Sequence, residues 1–356
     1  MTIEPLRNSR SVEVDSPLPP AWLRRRETRH PQPERLSDDV LQTGPAGALR
    51  AALVETIDGA QEVVLLVTFL LSDTELADAL VRASERGVRC YLLTASETRL
   101  QQVIDEDGFE RRMLEEHKAL LDRLSSHVLV RSGSHFHAKF LVVDPAGAPA
   151  GWLCTANFNR ALLDSVELGV RMTQEEARTA AGWFNVGFWT EAERELSPQG
   201  GRLAKVSAAP ATPAVPPPGA IVMTATGTHS LADAAATLIS GAADLVVSSY
   251  GLAPAHPAVA ALAERARSGV RVTFLTRPRP AVAEGARLLE AAGATVLAHD
   301  KLHAKAIVTP TQVLVMSANL ESHGLDSGFE VGLLLSDGRA DTVRGLLRAW
   351  TAEFPW

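Results

Sequence analysis

Short apolar runs alternate with segments of helical period along most of the chain. The run Gln61–Ser72 (QEVVLLVTFLLS) predicts a buried strand. Glu75–Glu85 repeats its apolar residues at helical spacing, Gly87-Val-Arg reads as a turn, and Arg89–Leu93 reads as a second strand. The same order then returns. Ala243–Tyr250 (ADLVVSSY) predicts a strand, Ala258–Arg267 a helix, Gly269-Val-Arg a turn and Val272–Leu275 a strand. The two glycine turns stand 182 residues apart. A helix is expected ahead of each unit, at about Gly47–Ile57 and Leu231–Ser240. The halves next differ in length: Glu97–Leu124 is a charged helical stretch, and its counterpart Ala281–Ala292 is shorter. Each half closes with a strand, a His-x-Lys motif, another strand and a Thr/Ser-Ala-Asn motif. Strands alternating with helices predict α/β sandwich domains, each a mixed sheet flanked by helices. The duplication predicts two of them in tandem, related by a pseudo-twofold axis.

Residues 1–36 are polar and rich in Pro and Arg, and are expected to form a poorly ordered tail. Its Arg24-Arg-Arg run reads as solvated chain, with phosphate contact as the alternative. The first domain is expected over 37–204 and the second over 221–356. Between them, 205–220 carries five prolines, which fit neither a helix nor a sheet interior, and reads as a linker. With 356 residues and 46% hydrophobic content the chain can bury two moderate cores. A net charge of −7 excludes coating nucleic acid by bulk charge but leaves room for a local basic cleft. The two cysteines, Cys90 and Cys154, lie in apolar runs and read as buried thiols of a reducing compartment. The first residues have no apolar leader, and no apolar run is long enough to span a bilayer, so a cytoplasmic location is expected.

The candidate chemistry recurs with the fold. His137-Ala-Lys139 runs on to Asp144, followed by Asn157 in Thr155-Ala-Asn157 and then Glu167. His303-Ala-Lys305 runs on to Pro310, followed by Asn319 in Ser317-Ala-Asn319 and then Glu330. In a strand, residues two apart project from one face, so each His and Lys should point the same way. One His-x-Lys is weak evidence; two copies with matching Asn and Glu are specific. Displacement at phosphorus needs a nucleophile, an acid for the leaving oxygen and positive charge around the equatorial oxygens. Two imidazoles can share the first two tasks near neutral pH, lysines and asparagines can hold the oxygens, and a carboxylate can orient each ring. One half carries only half of this set.

These paired elements resemble the phospholipase D superfamily, whose signature is H-x-K-x4-D followed by a G/S/T-x-N segment. The resemblance covers roughly residues 45–350. It implies one site between the domains, a phosphohistidine resolved by water or an alcohol, and no metal or other cofactor. Carried over by position, His137 is the nucleophile and His303 the general acid, with the reverse order left open. Lys139, Lys305, Asn157 and Asn319 would bind phosphate, and Glu167 and Glu330 would orient the histidines. The Asp of the signature, Asp144 here, is mainly structural in the family. Pro310 stands in its place in the second copy, a loss shared with the tyrosyl-DNA phosphodiesterase branch.

Other residues carry weaker signals. His135 lies on the face of His137 and reads as a partly exposed strand residue or a cleft rim. His323 follows Asn319 closely and is the lone histidine best placed to reach a substrate, with a plain loop residue as the simpler reading; His229, His256 and His299 have no partner spacing. Trp183, Phe184, Phe188 and Trp189 read as a core-facing helix rather than a base-stacking platform. Arg277 and Arg279 end a second-half strand and are either turn residues or contacts for a phosphate chain. Three functions remain: a nuclease or DNA-end phosphodiesterase, a phospholipase or phosphatidyltransferase, and a non-catalytic nucleic-acid-binding module. A signal-free chain with two compact domains favours the first. Soluble members of the superfamily also occur in phage-defence cassettes, which puts defence-system or repair proteins among the partners the resemblance implies. Both motif copies are already in one chain, a single-chain pseudo-dimer whose oligomeric state stays open.

Overall fold

The computed structural model of the chain describes residues 29–100, 111–196, 203–205 and 212–354. Two mixed sheets dominate it. In the first half the parallel strands are β2 (Val63–Thr68), β3 (Arg89–Ala95) and β4 (Val128–Gly133). On the other side of β2 come β5 (Phe140–Val143), β6 (Ala150–Cys154) and β7 (Leu168–Arg171), each antiparallel to its neighbour. The second half repeats this order: β12 (Asp244–Ser248), β13 (Arg271–Thr276) and β14 (Thr295–Ala298) are parallel. From β12 the sheet continues antiparallel through β15 (Ala306–Val308), β16 (Val313–Met316) and β17 (Glu330–Leu335). Extra edge strands bring the sheets to nine and eight strands. This is the tandem α/β architecture expected from the repeated pattern.

The strands alternate their side chains between two cores. Leu65 and Val67 of β2 join a core shared by both halves, while Val64 and Leu66 face the helices of their own half. In the second half Val246 enters the shared core and Val247 faces away from it. Two helices complete the shared core: α5 (Gln174–Val186) from the first half and α9 (Gly338–Glu353) from the second. Trp183, Phe184 and Phe188 are buried in it and Trp189 packs on its edge, as a core-facing segment requires. At its start α5 has a capping box between Thr173 and Glu176. Glu176 also makes two hydrogen bonds with Arg339, at 2.7 and 2.8 Å, so the starts of α5 and α9 are pinned together across the halves.

The predicted turns are where the pattern put them. Gly87 and Gly269 each follow a helix end with φ of 91° and 87°, a left-handed conformation open to glycine at little cost. The short helix Ala283–Ala291 fills the span read as 281–292, and Arg111–Leu124 fills the end of the longer one; residues 101–110 lie outside the described residues. Most of the span read as a tail, 1–28, lies outside them as well. Its end is packed: Glu34 is buried and accepts from the backbone of Ala46 and Ala48, and Gln42 donates to the carbonyls of Pro31 and Pro33. Within the span read as a linker, Lys205 still belongs to a strand, 212–217 is irregular, and 206–211 is not described.

The Asp144 position explains the first motif's ending. Asp144 has φ of 49°, and its carboxylate accepts from the backbone N–H of Gln61, Glu62 and Val63 at 2.9, 2.8 and 3.0 Å. It ties the end of β5 to the start of β2. Burial alone would raise its pKa, but these three donors pull it below the ordinary carboxylate value. In the second half Thr309 closes the turn instead, with its backbone and hydroxyl bonded to Gln312, and exposed Pro310 follows it.

Candidate active site

Both His-x-Lys segments lie in the seam between the halves. Each is extended but stops just short of its strand, contrary to the expectation that the motif sits within one. The reason is its hydrogen-bond partner. His137 and Ala138 donate their N–H groups to the Phe329 carbonyl, at 3.1 and 2.8 Å. His303 and Ala304 donate theirs to the Val166 carbonyl, both at 3.0 Å. The first two N–H groups of each motif therefore bond to the other half, while its lysine carbonyl accepts from its own sheet, from Cys154 and Met316. The acceptor across the seam in each case directly precedes a glutamate.

Those glutamates are exchanged between the halves. His137 Nδ1 lies 2.5 Å from Glu330 Oε1, and His303 Nδ1 lies 2.5 Å from Glu167 Oε1. A carboxylate only accepts, so each imidazole carries its proton on Nδ1 and presents the Nε2 lone pair. The second oxygen of each glutamate is held by the hydroxyl of the Thr/Ser-Ala-Asn motif: Thr155 donates to Glu167 at 2.6 Å and Ser317 donates to Glu330. Burial alone would raise both carboxyl pKa values, yet the facing histidine and lysine charges hold them well below the ordinary range. Burial also pushes both imidazoles below their usual value, against the pull of the carboxylates. Each carboxylate is thus ionised and accepts from its imidazole.

The rings open into one cleft of about 620 Å³. His137, His303, Asn157, Asn319 and Glu330 line it. Lys139 and Lys305 do not line it; both are fully buried behind the rings. Lys139 Nζ donates to the His137 carbonyl, and Lys305 Nζ donates to those of His303 and Thr155 and lies 3.8 Å from Glu167. Burial lowers both lysines, Lys139 to about 7, with the glutamates opposing. They place positive charge directly beneath the cleft floor. Glu167, Thr155 and Ser317 are buried too; the structure brings the eight residues read as catalytic to one seam and leaves Asp144 at the far end of β5. The side-chain oxygens of Asn157 and Asn319 are buried with no hydrogen-bond partner, so both amides have capacity left for a ligand.

Several lining residues carried little or no sequence signal. Phe69 meets His137 edge-on at 4.9 Å, and Tyr250 packs on His303 at 4.3 Å. His323 reaches the cleft, its ring 6.2 Å from that of His137. Arg277 and Arg279 also line it. His135 turns away and pairs with Glu191 at 2.9 Å, which settles it as a structural residue; His299 and His256 likewise bond locally, to Arg29 and to Asp326. The signal that was available for Thr155 and Ser317 is a hydroxyl at the same motif position in both halves.

A domain family described as "Cardiolipin synthase, PLD-like domain" matches residues 53–188. No curated protein matches the chain in sequence. Among solved structures, polyphosphate kinase from Porphyromonas gingivalis aligns with a TM-score of 0.60 at 13% identity, over 92% of this chain and 51% of its own. The chain thus spans about half the length of that kinase. Phosphatidylserine synthase from Haemophilus influenzae Rd KW20 aligns with a TM-score of 0.55 at 13% identity, over 89% of this chain and 86% of its own. Nuc from Salmonella typhimurium, a phospholipase D family member, is 18% identical over 47% of this chain and 98% of its own, with a TM-score of 0.36. Residues 53–188 thus match a PLD-like domain family, and the tandem fold as a whole is similar to those of the kinase and the synthase.

Proposed function

We propose that the chain is a phosphodiesterase that works through a covalent phosphohistidine and needs no metal, with nucleic acid as its substrate. The observation that carries this reading is the pair of exchanged His–Glu contacts, which present two imidazole Nε2 atoms to one cleft. In the first step His137 Nε2 attacks phosphorus. The bond to the leaving oxygen breaks, and His303 in its protonated form gives that oxygen a proton. An anionic phosphate in the cleft raises both imidazole pKa values, which supplies the protonated form near neutral pH. In the second step neutral His303 takes a proton from water, the oxygen attacks phosphorus, and the P–N bond breaks to return His137. Lys139 and Lys305 beneath the cleft and the two asparagine amides offset charge on the phosphoryl oxygens. The same steps with an alcohol in place of water would be phosphatidyl transfer. The likeness in fold to a phosphatidylserine synthase over most of both chains keeps that as the second reading.

The test is turnover of bis-p-nitrophenyl phosphate, single- and double-stranded DNA, RNA and anionic phospholipid vesicles in EDTA. Cleavage of nucleic acid in EDTA, lost in both His137→Ala and His303→Ala, is the expected result. Activity abolished by EDTA, or surviving in both variants, removes the mechanism. Turnover of phospholipid alone replaces the substrate, and nucleic-acid binding without turnover of any probe leaves only a binding module. Gene neighbours encoding defence or repair proteins would place the reaction in that setting.

A further inference from the structure

The two ends of the cleft differ in charge, and the repeat shows how. At the offset of 182, Arg277 and Arg279 occupy the positions that Ala95 and Glu97 hold in the first half. Glu97 is exposed and paired with Lys118. The arginines instead line the cleft beside His303. Arg279 lies over the Tyr250 ring at 3.6 Å and donates to its hydroxyl at 2.6 Å and to its carbonyl at 3.3 Å. Tyr250 in turn packs on His303. One aromatic ring therefore separates a fixed guanidinium from the imidazole. Arg277 stands 5.9 Å from the same ring and forms no hydrogen bond or ion pair among the described residues. The end beside His137 carries Phe69 and Met113 instead, with Arg99 and His323. Acidic groups facing the cleft are Glu321, which holds Asn319, Asp164 and Glu330.

We infer that Arg277, Arg279 and Tyr250 form a subsite for a second phosphate of the substrate, next to the one that reacts, on the His303 side. An isolated diester makes no use of the Arg277 guanidinium, while a chain of phosphates reaches it. Planar guanidiniums suit phosphate oxygens, and a site walled by protein screens them less than open solvent would. The opposite end carries one arginine, Arg99, beside Phe69 and Met113, and so offers a second phosphate less charge. The substrate then lies in the cleft in one direction despite the near-symmetry of the histidines. This deepens the phosphodiesterase reading and rests on it for the identity of the reacting group.

Binding by calorimetry, in EDTA and with the whole chain, tests the subsite. The probes are inorganic phosphate, tripolyphosphate and a 5′-phosphorylated thymidine dinucleotide. The expected result is that at least one of the two longer probes binds about ten-fold or more tighter than inorganic phosphate, and that Arg277→Ala removes most of that difference. Arg277→Lys should restore part of it. Arg277→Ala is the primary variant, because Arg279→Ala also frees Tyr250. Loss on tripolyphosphate alone assigns the subsite to an inorganic chain, and loss on the dinucleotide to a nucleic-acid backbone. Equal weakening of all three probes, or no weakening, overturns the subsite. Turnover is scored apart: a wild-type chain inactive on every diester but keeping the ratio refutes the phosphodiesterase reading alone, and an active chain without the ratio refutes the subsite alone.

Discussion

Around the reacting groups the two halves are close copies, and around everything else they are not. Each histidine is held by a glutamate whose other oxygen is bonded to a hydroxyl, and each lysine is folded back on its own histidine's carbonyl. Outside this set the first half secures its motif strand with Asp144, while the second closes a Thr309 turn before an exposed proline. One cleft end is lined by Phe69 and Met113 with Arg99 and His323, the other by Tyr250 and two arginines. The difference teaches that the halves match where they exchange contacts across the seam, whereas strand anchoring and the lining of each cleft end are solved locally.

The largest test of this comparison is to remove each histidine. Both His137→Ala and His303→Ala should lower kcat by about 10⁴-fold, near the loss when one member of a catalytic triad is removed. A residual rate in one variant a hundred times that of the other would break the equivalence. Trapping of an acid-labile phosphoryl adduct in single-turnover digests would show which histidine attacks.

The next effect is that of the exchanged carboxylates. Glu330→Gln and Glu167→Gln should each lower kcat by about 10³-fold, because an amide does not fix the Nδ1 tautomer as a carboxylate does. Imidazole NMR sharpens the point. Glu330→Gln should shift the signals of His137, in the opposite half, more than those of His303. The reverse pattern would contradict the exchange.

Strand anchoring should separate the halves in stability. Asp144→Ala leaves three backbone donors without their acceptor and should cost about 2 kcal/mol in denaturant unfolding. Pro310→Ala should cost under about 1 kcal/mol, the scale of the lost restriction on the unfolded chain. Similar values for the two would mean that Asp144 anchors nothing.

The smallest effect expected is on pH. Burial holds His117 at about 4, and holds His137 and His303 below the ordinary 6.5. Unfolding raises each pKa back to the ordinary value, so the unfolded chain binds more protons between these limits. The stabilisation is complete above about pH 6.5 and is lost as pH falls toward 4. The melting temperature should drop over that window, and His303→Asn should flatten part of the slope. A melting temperature constant from pH 7 to 4 would remove this account.

Much of this molecule was legible in its sequence because it is written twice. The strand–helix order, the two glycine turns and the four motif residues of each half recur in the same order, and repetition separates a pattern from chance. What the order of residues does not carry is which half each strand end faces. Glu167 follows His137 in sequence but binds His303, and only the seam between the sheets reveals that. The His-x-Lys segments read as strands because their alternation is that of a strand, yet the backbone acceptors of their His and Ala N–H groups lie across the seam. Phe69 and Tyr250 sit in apolar runs indistinguishable from ordinary core. The hydroxyls of Thr155 and Ser317 were visible as a repeat, without any hint that they hold a carboxylate.

The donation of His137 and Ala138 to Phe329, and of His303 and Ala304 to Val166, has a consequence for how activity is acquired. Each motif takes its shape from a strand end in the opposite half, so neither half can act as a template for itself. During synthesis the first half emerges with its histidine unsupported and its glutamate unused. On the proposed mechanism, separating the halves breaks both His–Glu contacts at once, so activity would be lost before either half unfolds.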